Sequence, residues 1–292
     1  MKVLITGGGG QVAKVLVKQL GHKHHLTCFD RSELDITSEE SLVRCLSLIK
    51  PDVVINTAAY TAVDKAESEP NLAFDVNGEG VEKLSSICNR FDCVLIHLST
   101  DYVYDGDIEG LHCESEETNP KTVYGKSKLL GESYIQKACS KYLIIRTSWL
   151  FSDYGNNFLK TIFKLLEKGN SVSVVNDQFG SPTSCYNLAS FIEEILLTLE
   201  KNSNDDIWGV YNYSDSPATN WYEFSKKIEK AMAKCTTSKI IPIPSSDYCS
   251  SADRPKNSKL NCNKILRVFG SKSRSWEGEV ELLVEKLLKG TK

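Results

Sequence analysis

The sequence predicts an α/β protein: a doubly wound, Rossmann-like parallel sheet with a smaller C-terminal substrate lobe. Three observations point there. A short apolar run, Val3-Leu4-Ile5-Thr6, enters a glycine cluster, Gly7 to Gly10, and leaves it as an amphipathic stretch. The next apolar run ends on an acid, Asp30. It follows Gly10 by about 20 residues, the spacing that sets a carboxylate against the adenosine ribose in a dinucleotide fold. Finally, strand and helix patterns alternate strictly over roughly the first half of the chain, which argues a parallel sheet.

Taken in order, Val3–Thr6 is continuously apolar, as a strand buried on both faces must be. Gly7 to Gly10 form the turn and Gln11–Leu20 reads as the helix after it. His25–Asp30 is the second strand, followed by a helix near Ser38–Ile49 and a strand at Asp52–Asn56. A helix near Asn71–Arg90, a strand at Val94–Leu98, the helix carrying Tyr124 and a strand at Tyr142–Arg146 complete the alternation. Right-handed crossovers place Gly7, Asp30, Asn56, Ser99 and Thr147 along one edge, where open α/β sheets bind ligands. Beyond residue 150 the rhythm is broken at Gly180-Ser181-Pro182, Ser216-Pro217, Ile241-Pro242-Ile243-Pro244 and Arg254-Pro255. Residues 1–150 with roughly 184–213 are therefore expected to form the NAD(P)-binding unit. Roughly 151–183 with 214–292 are expected to form the substrate lobe. The segments 186–200 and 210–213 are expected to return to the main sheet.

Bulk properties exclude several functions. The 292 residues carry a net charge of −3 with scattered basic residues, which gives no case for nucleic acid or an anionic membrane. No stretch approaches the ~20 apolar residues of a membrane span. The first six residues run into glycine without an apolar signal core. A soluble, cytoplasmic protein is expected. Ten cysteines (Cys28, Cys45, Cys88, Cys93, Cys113, Cys139, Cys185, Cys235, Cys249 and Cys262) contain no Cys-x-x-Cys pair. They read as reduced, small buried hydrophobes. The cluster His22-Lys23-His24-His25 reads as a solvated loop rather than a metal site.

The chemistry concentrates in Asn119–Lys128, where Tyr124 and Lys128 stand four apart and share a helix face. A phenol titrates near pH 10. A nearby ammonium favours the phenolate and makes the phenol a usable proton donor or acceptor. The glycine segment reads Gly7-x-x-Gly10-x-x-Ala13. Residues without Cβ let the backbone approach a pyrophosphate that rests on a helix N-terminus. Asp30 would accept from ribose hydroxyls and favour NADH, whereas Arg31 could meet the 2′-phosphate of NADPH. The choice stays open. The small residues of Asn56-Thr57-Ala58-Ala59-Tyr60 let an adenine and its ribose lie flat against a strand end. In Ser99-Thr100-Asp101-Tyr102 a hydroxyl can donate to a carbonyl oxygen as hydride arrives.

These segments resemble the extended short-chain dehydrogenases/reductases, and within them the dTDP-4-dehydrorhamnose reductase family. The matching stretches include Leu4–Gly7 with Gly10–Val12, Ala58–Glu67, Ser99–Tyr104, Tyr124–Lys128 and Arg146–Trp149. Gly155–Phe158, Asp177–Thr183 and Arg254–Ser258 continue in the family's order. The resemblance implies reduction of the C4 keto group of a dTDP-linked 4-keto-6-deoxyhexose by NADPH or NADH. Tyr124 would then give the proton, Lys128 would hold the nicotinamide ribose and Thr100 would bond the same oxygen. It also implies that Gly10, Gln11, Val12, Asp30, Asp35, Ile36, Ala59, Tyr60, Thr61 and Leu98 touch the cofactor, with Gly7, Ala58 and Arg31 beside them. Thr100, Asp101 and Trp149 would touch the sugar nucleotide. A homodimer is a further expectation of the resemblance. Two departures stand out: Ala13 replaces the last glycine, and Val15 occupies the neighbourhood of a carboxylate that some members use for Mg²⁺, which puts that metal in doubt. Reductases for other nucleotide-linked 4-keto sugars, epimerases and dehydratases share the superfamily and stay as alternatives, as does a non-catalytic regulatory subunit resembling that of methionine adenosyltransferase. The pair Asp101-Tyr102, where a dehydratase would carry Asp-Glu, argues against elimination.

Overall fold

Six strands form one parallel sheet in the computed structural model, which describes residues 1–169, 171–201, 207–232 and 238–290. They are β1 (Lys2–Thr6), β2 (His25–Phe29), β3 (Val53–Asn56), β4 (Val94–Thr100), β5 (Tyr142–Thr147) and the edge strand Gly209–Asn212. β1 lies between β2 and β3, with Thr6 opposite both Phe29 and Asn56. From there β4, β5 and the edge strand follow on the β3 side. The strand order thus reverses between β1 and β3, and the C-terminal strand ends splay into a crevice there.

Each strand buries alternate residues on opposite faces, as the pleat requires. Val3 and Ile5 pack with the helices Gln11–Leu20, Cys185–Glu200 and Asn263–Phe269. Leu4 packs with Glu39–Ile49, Gly80–Arg90 and Val123–Ala138. Both faces are covered, so the strands read as unbroken apolar runs. A separate core gathers Phe151, Phe163, Phe224 and Trp276 under the helices Phe158–Glu167, Trp221–Ala231 and Trp276–Gly290. Residues 185–200 and 209–212 return to the large sheet, where the edge strand pairs in parallel with β5.

Three expectations need correction. The helix expected near 71–90 is Pro70–Phe74, a π turn at Asp75–Glu79, and Gly80–Arg90. The π turn re-aims Asn77, which is fully buried and bonded across to Ser127 in the Tyr124 helix. The histidine cluster is not a solvated loop throughout. His25 opens β2, and His24 is buried with Nδ1 3.4 Å from Glu200 Oε1. The returning helix Cys185–Glu200, which packs beside Gln11–Leu20, brings that carboxylate over it. Among the described cysteines, all free, Cys249 is exposed on an irregular connection, and Cys28, Cys113 and Cys262 are half-buried. Cys235 lies outside the described residues. Among the described residues no helix is long and apolar enough to cross a membrane, and no group of His, Cys, Asp and Glu is placed to hold a metal ion.

The Tyr124 helix approaches the π turn so closely that a Cβ on Gly131 would lie 2.2 Å from the Asn77 carbonyl oxygen. Gly131→Ala is therefore expected to destabilise the fold by about 1–3 kcal/mol, the range for overpacking a filled interior. A urea midpoint equal to that of the parent would contradict this close approach.

Candidate active site

A cleft of about 800 Å³ opens at the C-terminal strand ends, over the β1–β3 reversal. Gly7, Gly10, Gln11, Val12, Asp30, Arg31, Asp35, Ile36, Ala58, Ala59, Tyr60, Thr61, Leu98, Tyr124 and Lys128 all line it. The glycine turn is sterically enforced. Gly7 has φ +72°, and a Cβ there would lie 2.7 Å from Ala58 N. Gly10 donates its N–H to Gly7 O at 2.8 Å and starts the helix Gln11–Leu20. That helix has no side-chain cap and no acid in its first turn, so its first N–H groups are available to an anion. A dinucleotide pyrophosphate fits this cradle. Gln11 fastens it to the loop after β5: Nε2 donates to Leu150 O at 3.3 Å, and Oε1 accepts from Asn157 Nδ2 at 3.1 Å.

At the end of β2, Asp30 Oδ1 accepts from Ser32 Oγ at 2.6 Å and Ser32 N at 2.8 Å. These bonds hold its carboxyl below the usual range. Arg31 is 70% exposed and its Nε lies 3.5 Å from Asp35 Oδ2, so both chemistries that select a ribose or a 2′-phosphate share this corner. Asn77 clamps the loop beyond β3. Tyr60 N donates to Asn77 Oδ1 at 2.9 Å, while Asn77 Nδ2 donates to Tyr60 O and to Ser127 Oγ, each at 3.0 Å.

The Tyr124 helix begins at Thr122, whose hydroxyl accepts from Gly125 N at 3.0 Å. One turn into it Lys128 is buried, 1% exposed, and its Nζ donates to Leu98 O at 2.7 Å. The same Nζ lies 3.1 Å from His97 Nε2. Burial lowers the Lys128 ammonium to about 8, with Glu132 acting in the opposite direction. Burial moves the Tyr124 phenol the other way, upward, although its hydrogen bond with Thr100 opposes the rise. Burial therefore sets the direction of the Tyr124 shift.

Thr100 Oγ1 donates to Asp101 Oδ1 at 3.0 Å and accepts from Tyr102 N at 3.2 Å. Tyr102 meets the Tyr124 ring edge-on, with centroids 5.6 Å apart. Thr100 and Asp101 thus gather around Tyr124, both buried. Trp149 is placed differently from the other expected substrate contacts. It has φ 46° and stacks on Trp221 with centroids 3.4 Å apart, so one face of the indole is taken by protein. Reasoning from sequence did not single out His97, Asn77, Glu132 or Trp221. A histidine inside an apolar strand run is a visible signal, since buried polar groups need partners. The other three carry none, because their partners are remote in the chain.

A parallel sheet with a glycine-cradled cleft and a Tyr/Lys pair at its strand ends defines an extended short-chain dehydrogenase/reductase. The chain belongs to the family described by the RmlD substrate binding domain, whose model matches residues 1–289. It is 36% identical over 290 residues to a dTDP-4-dehydrorhamnose reductase of Sinorhizobium fredii, covering 99% of this chain and 98% of that one. A dTDP-4-dehydrorhamnose reductase structure from Clostridium acetobutylicum superposes with a TM-score of 0.91 at 34% identity, covering 99% and 100% of the two chains. One from Bacillus anthracis, in complex with NADP, gives 0.90 at 34%, covering 98% and 99%.

Burial raises the Asp101 carboxyl from 3.8 to about 6. The folded state then binds a proton that the unfolded state has released, so this contribution to stability is full below pH 3.8 and is lost as pH rises through about 6. Unfolding midpoints measured across that window should fall less steeply in Asp101→Asn than in the parent. Parallel curves would contradict the assignment.

Proposed function

We propose that this chain reduces the C4 keto group of dTDP-4-dehydro-6-deoxy-L-mannose, giving dTDP-L-rhamnose. The observation that carries the reading is that Tyr124 and Lys128 line a cleft whose glycine turn fits a dinucleotide, with the Thr100 side chain hydrogen-bonded to Tyr124. NAD(P)H, when bound, supplies the hydride. In this reading Gly7, Gly10 and the first turn of Gln11–Leu20 take its diphosphate, and Asp30 takes the adenosine ribose. Ala58, Ala59, Tyr60, Thr61, Ile36 and Asp35 flank the adenosine, while Leu98 and Lys128 face the nicotinamide end. Residues 1–150 with roughly 184–213 hold the cofactor, and roughly 151–183 with 214–292 hold the sugar nucleotide.

Tyr124 donates its proton to the C4 oxygen as the carbonyl becomes an alkoxide. The burial that raises its phenol also keeps it protonated near neutrality, the state that reduction requires. Thr100 bonds the same oxygen and shares the developing charge. Asp101 and Trp149 take the sugar nucleotide, Trp149 on the ring face turned away from Trp221.

The test is oxidation of NADPH and of NADH with the keto sugar generated in situ, with dTDP-L-rhamnose as the expected product. Cofactor binding without turnover would overturn the reading. Tyr124→Phe should cut turnover about 10²–10⁴-fold, the usual worth of a positioned general acid, and leave NADPH binding nearly intact. Full activity in that variant would remove Tyr124 as donor. The NADP complex of the Bacillus anthracis relative favours Arg31 as the partner of a 2′-phosphate. Arg31→Ala should raise KM for NADPH about tenfold and leave that for NADH unchanged. An equal change for both cofactors would contradict this role.

A further inference from the structure

Gln11 belongs to the glycine turn by its backbone and to the opposite wall of the cleft by its side chain. As the first residue of the helix Gln11–Leu20 it carries one of the N–H groups that the helix leaves unpaired. Its side-chain amide reaches residues 139–146 positions away: Nε2 donates to Leu150 O at 3.3 Å, and Oε1 accepts from Asn157 Nδ2 and from Ser152 Oγ, each at 3.1 Å. A carbonyl only accepts and an NH₂ only donates, so these partners fix the orientation of the amide. Asn157 is fixed in turn, because its Oδ1 accepts from Lys160 N at 3.1 Å and its Nδ2 also donates to Ser152 O at 2.8 Å. Leu150 directly follows Trp149, whose φ of 46° lies in the left-handed region, where a tryptophan persists only if its surroundings impose it. Bonds on both sides impose it. Ser148 Oγ donates to Ser181 O at 2.6 Å, Thr183 N donates to Trp149 O at 3.2 Å, and Gln11 holds the next carbonyl. The ring is placed as closely: a Cβ on Gly180 would lie 2.5 Å from Trp149 Cε2, and Trp221 covers one face.

We propose that Gln11 is a positioning residue for Trp149. Through Leu150 and Asn157 it fixes the strained turn that presents the indole to the sugar nucleotide, so the turn that takes the diphosphate of the cofactor also sets a contact of the substrate. Other bonds anchor the same loop at Asp153, where Tyr186 Oη donates to Oδ1 at 2.8 Å and Lys160 Nζ donates to the backbone oxygen at 3.0 Å. Removing the Gln11 amide therefore frees Leu150 and leaves the loop attached.

That Trp149 meets the sugar rests on the reductase reading above, but that Gln11 sets its position does not. Circular dichroism of the full chain without ligands reads the position, because indoles stacked this closely give an exciton couplet, identified by its loss in Trp221→Phe. Gln11→Met, similar in length and without an amide, should lose most of that couplet. Asn157→Asp keeps an acceptor for Lys160 N but turns a carboxylate toward Gln11, which flips the amide and withdraws Nε2 from Leu150. It should lose the couplet likewise, and it carries the test should Gln11→Met fail to fold. An unchanged couplet in a folded variant overturns the proposal. In turnover each variant should raise KM for the keto sugar nucleotide about five- to tenfold, the size of one hydrogen bond's preference, and move the NADPH dissociation constant, measured without sugar, by less than about twofold. The double variant should be no worse than Gln11→Met alone, since both act through one amide, and additive losses would contradict that. Weaker NADPH binding with KM for the sugar unchanged would make Gln11 a support of the glycine turn only, which overturns the proposal as well. Absence of turnover in the parent would defeat the reductase reading and leave the couplet result standing.

Discussion

A buried ion pair, Glu132 with Arg146, holds the site's geometry together. Glu132 is fully buried and Arg146 is 4% exposed. Charges so far from water cost several kcal/mol each unless their bonds are complete. Here they are. Arg146 Nε donates to Glu132 Oε1 at 3.0 Å, Nη2 donates to Oε2 at 2.6 Å, and Nη1 donates to the Tyr104 hydroxyl at 2.9 Å. Tyr104 passes the line on to Asn212 Oδ1 at 2.9 Å, on the edge strand. Glu132 also accepts from Ser99. One network therefore ties the Tyr124 helix to β4, β5 and a strand contributed from far along the chain.

That pair also decides what Lys128 can do. Glu132 follows Lys128 by four residues on the same helix face, the spacing of an ordinary helical ion pair. Left alone, it would draw the ammonium along the helix. Because Arg146 occupies its oxygens, Lys128 reaches Leu98 and His97 instead. The buried arginine thus frees the lysine for the cleft, and the lysine in turn leaves Tyr124 governed by burial and by Thr100.

Much of this was legible in the chain, for local reasons. Strand runs, the turn at Gly7–Gly10, the Asp30 spacing and the Tyr124–Lys128 pair are all set by neighbours within a few residues or one supersecondary unit, so pattern reveals them. The π turn is different: nothing in Asp75–Glu79 demands it, and its reason is Gly131 and Ser127 on another helix. The burial of His24 depends on a helix that returns some 170 residues later. Trp149 reads as a substrate contact, but no local pattern reveals that Trp221 lies flat against one face of it. The tyrosine–lysine chemistry was visible as residue types, but the direction of each pKa was not. Burial and remote partners set it, and neither appears in a spacing.

The segment that carries Arg254 and Asn257 enters the same logic. Arg254 bonds Asp64, beyond β3, and its Nη1 lies 3.4 Å from the Tyr102 hydroxyl. Asn257 N donates to Gly106 O at 2.9 Å, and a Cβ on Gly106 would lie 2.2 Å from Pro255 Cβ. The segment around residues 250–258 is therefore built into the loop that follows Thr100. Tyr102 stands on that loop with its ring against Tyr124. A segment that only lay beside this loop could vary its approach without touching the chemistry. This one helps to hold the ring beside the proposed proton donor, so the two halves of the chain cannot be shaped independently.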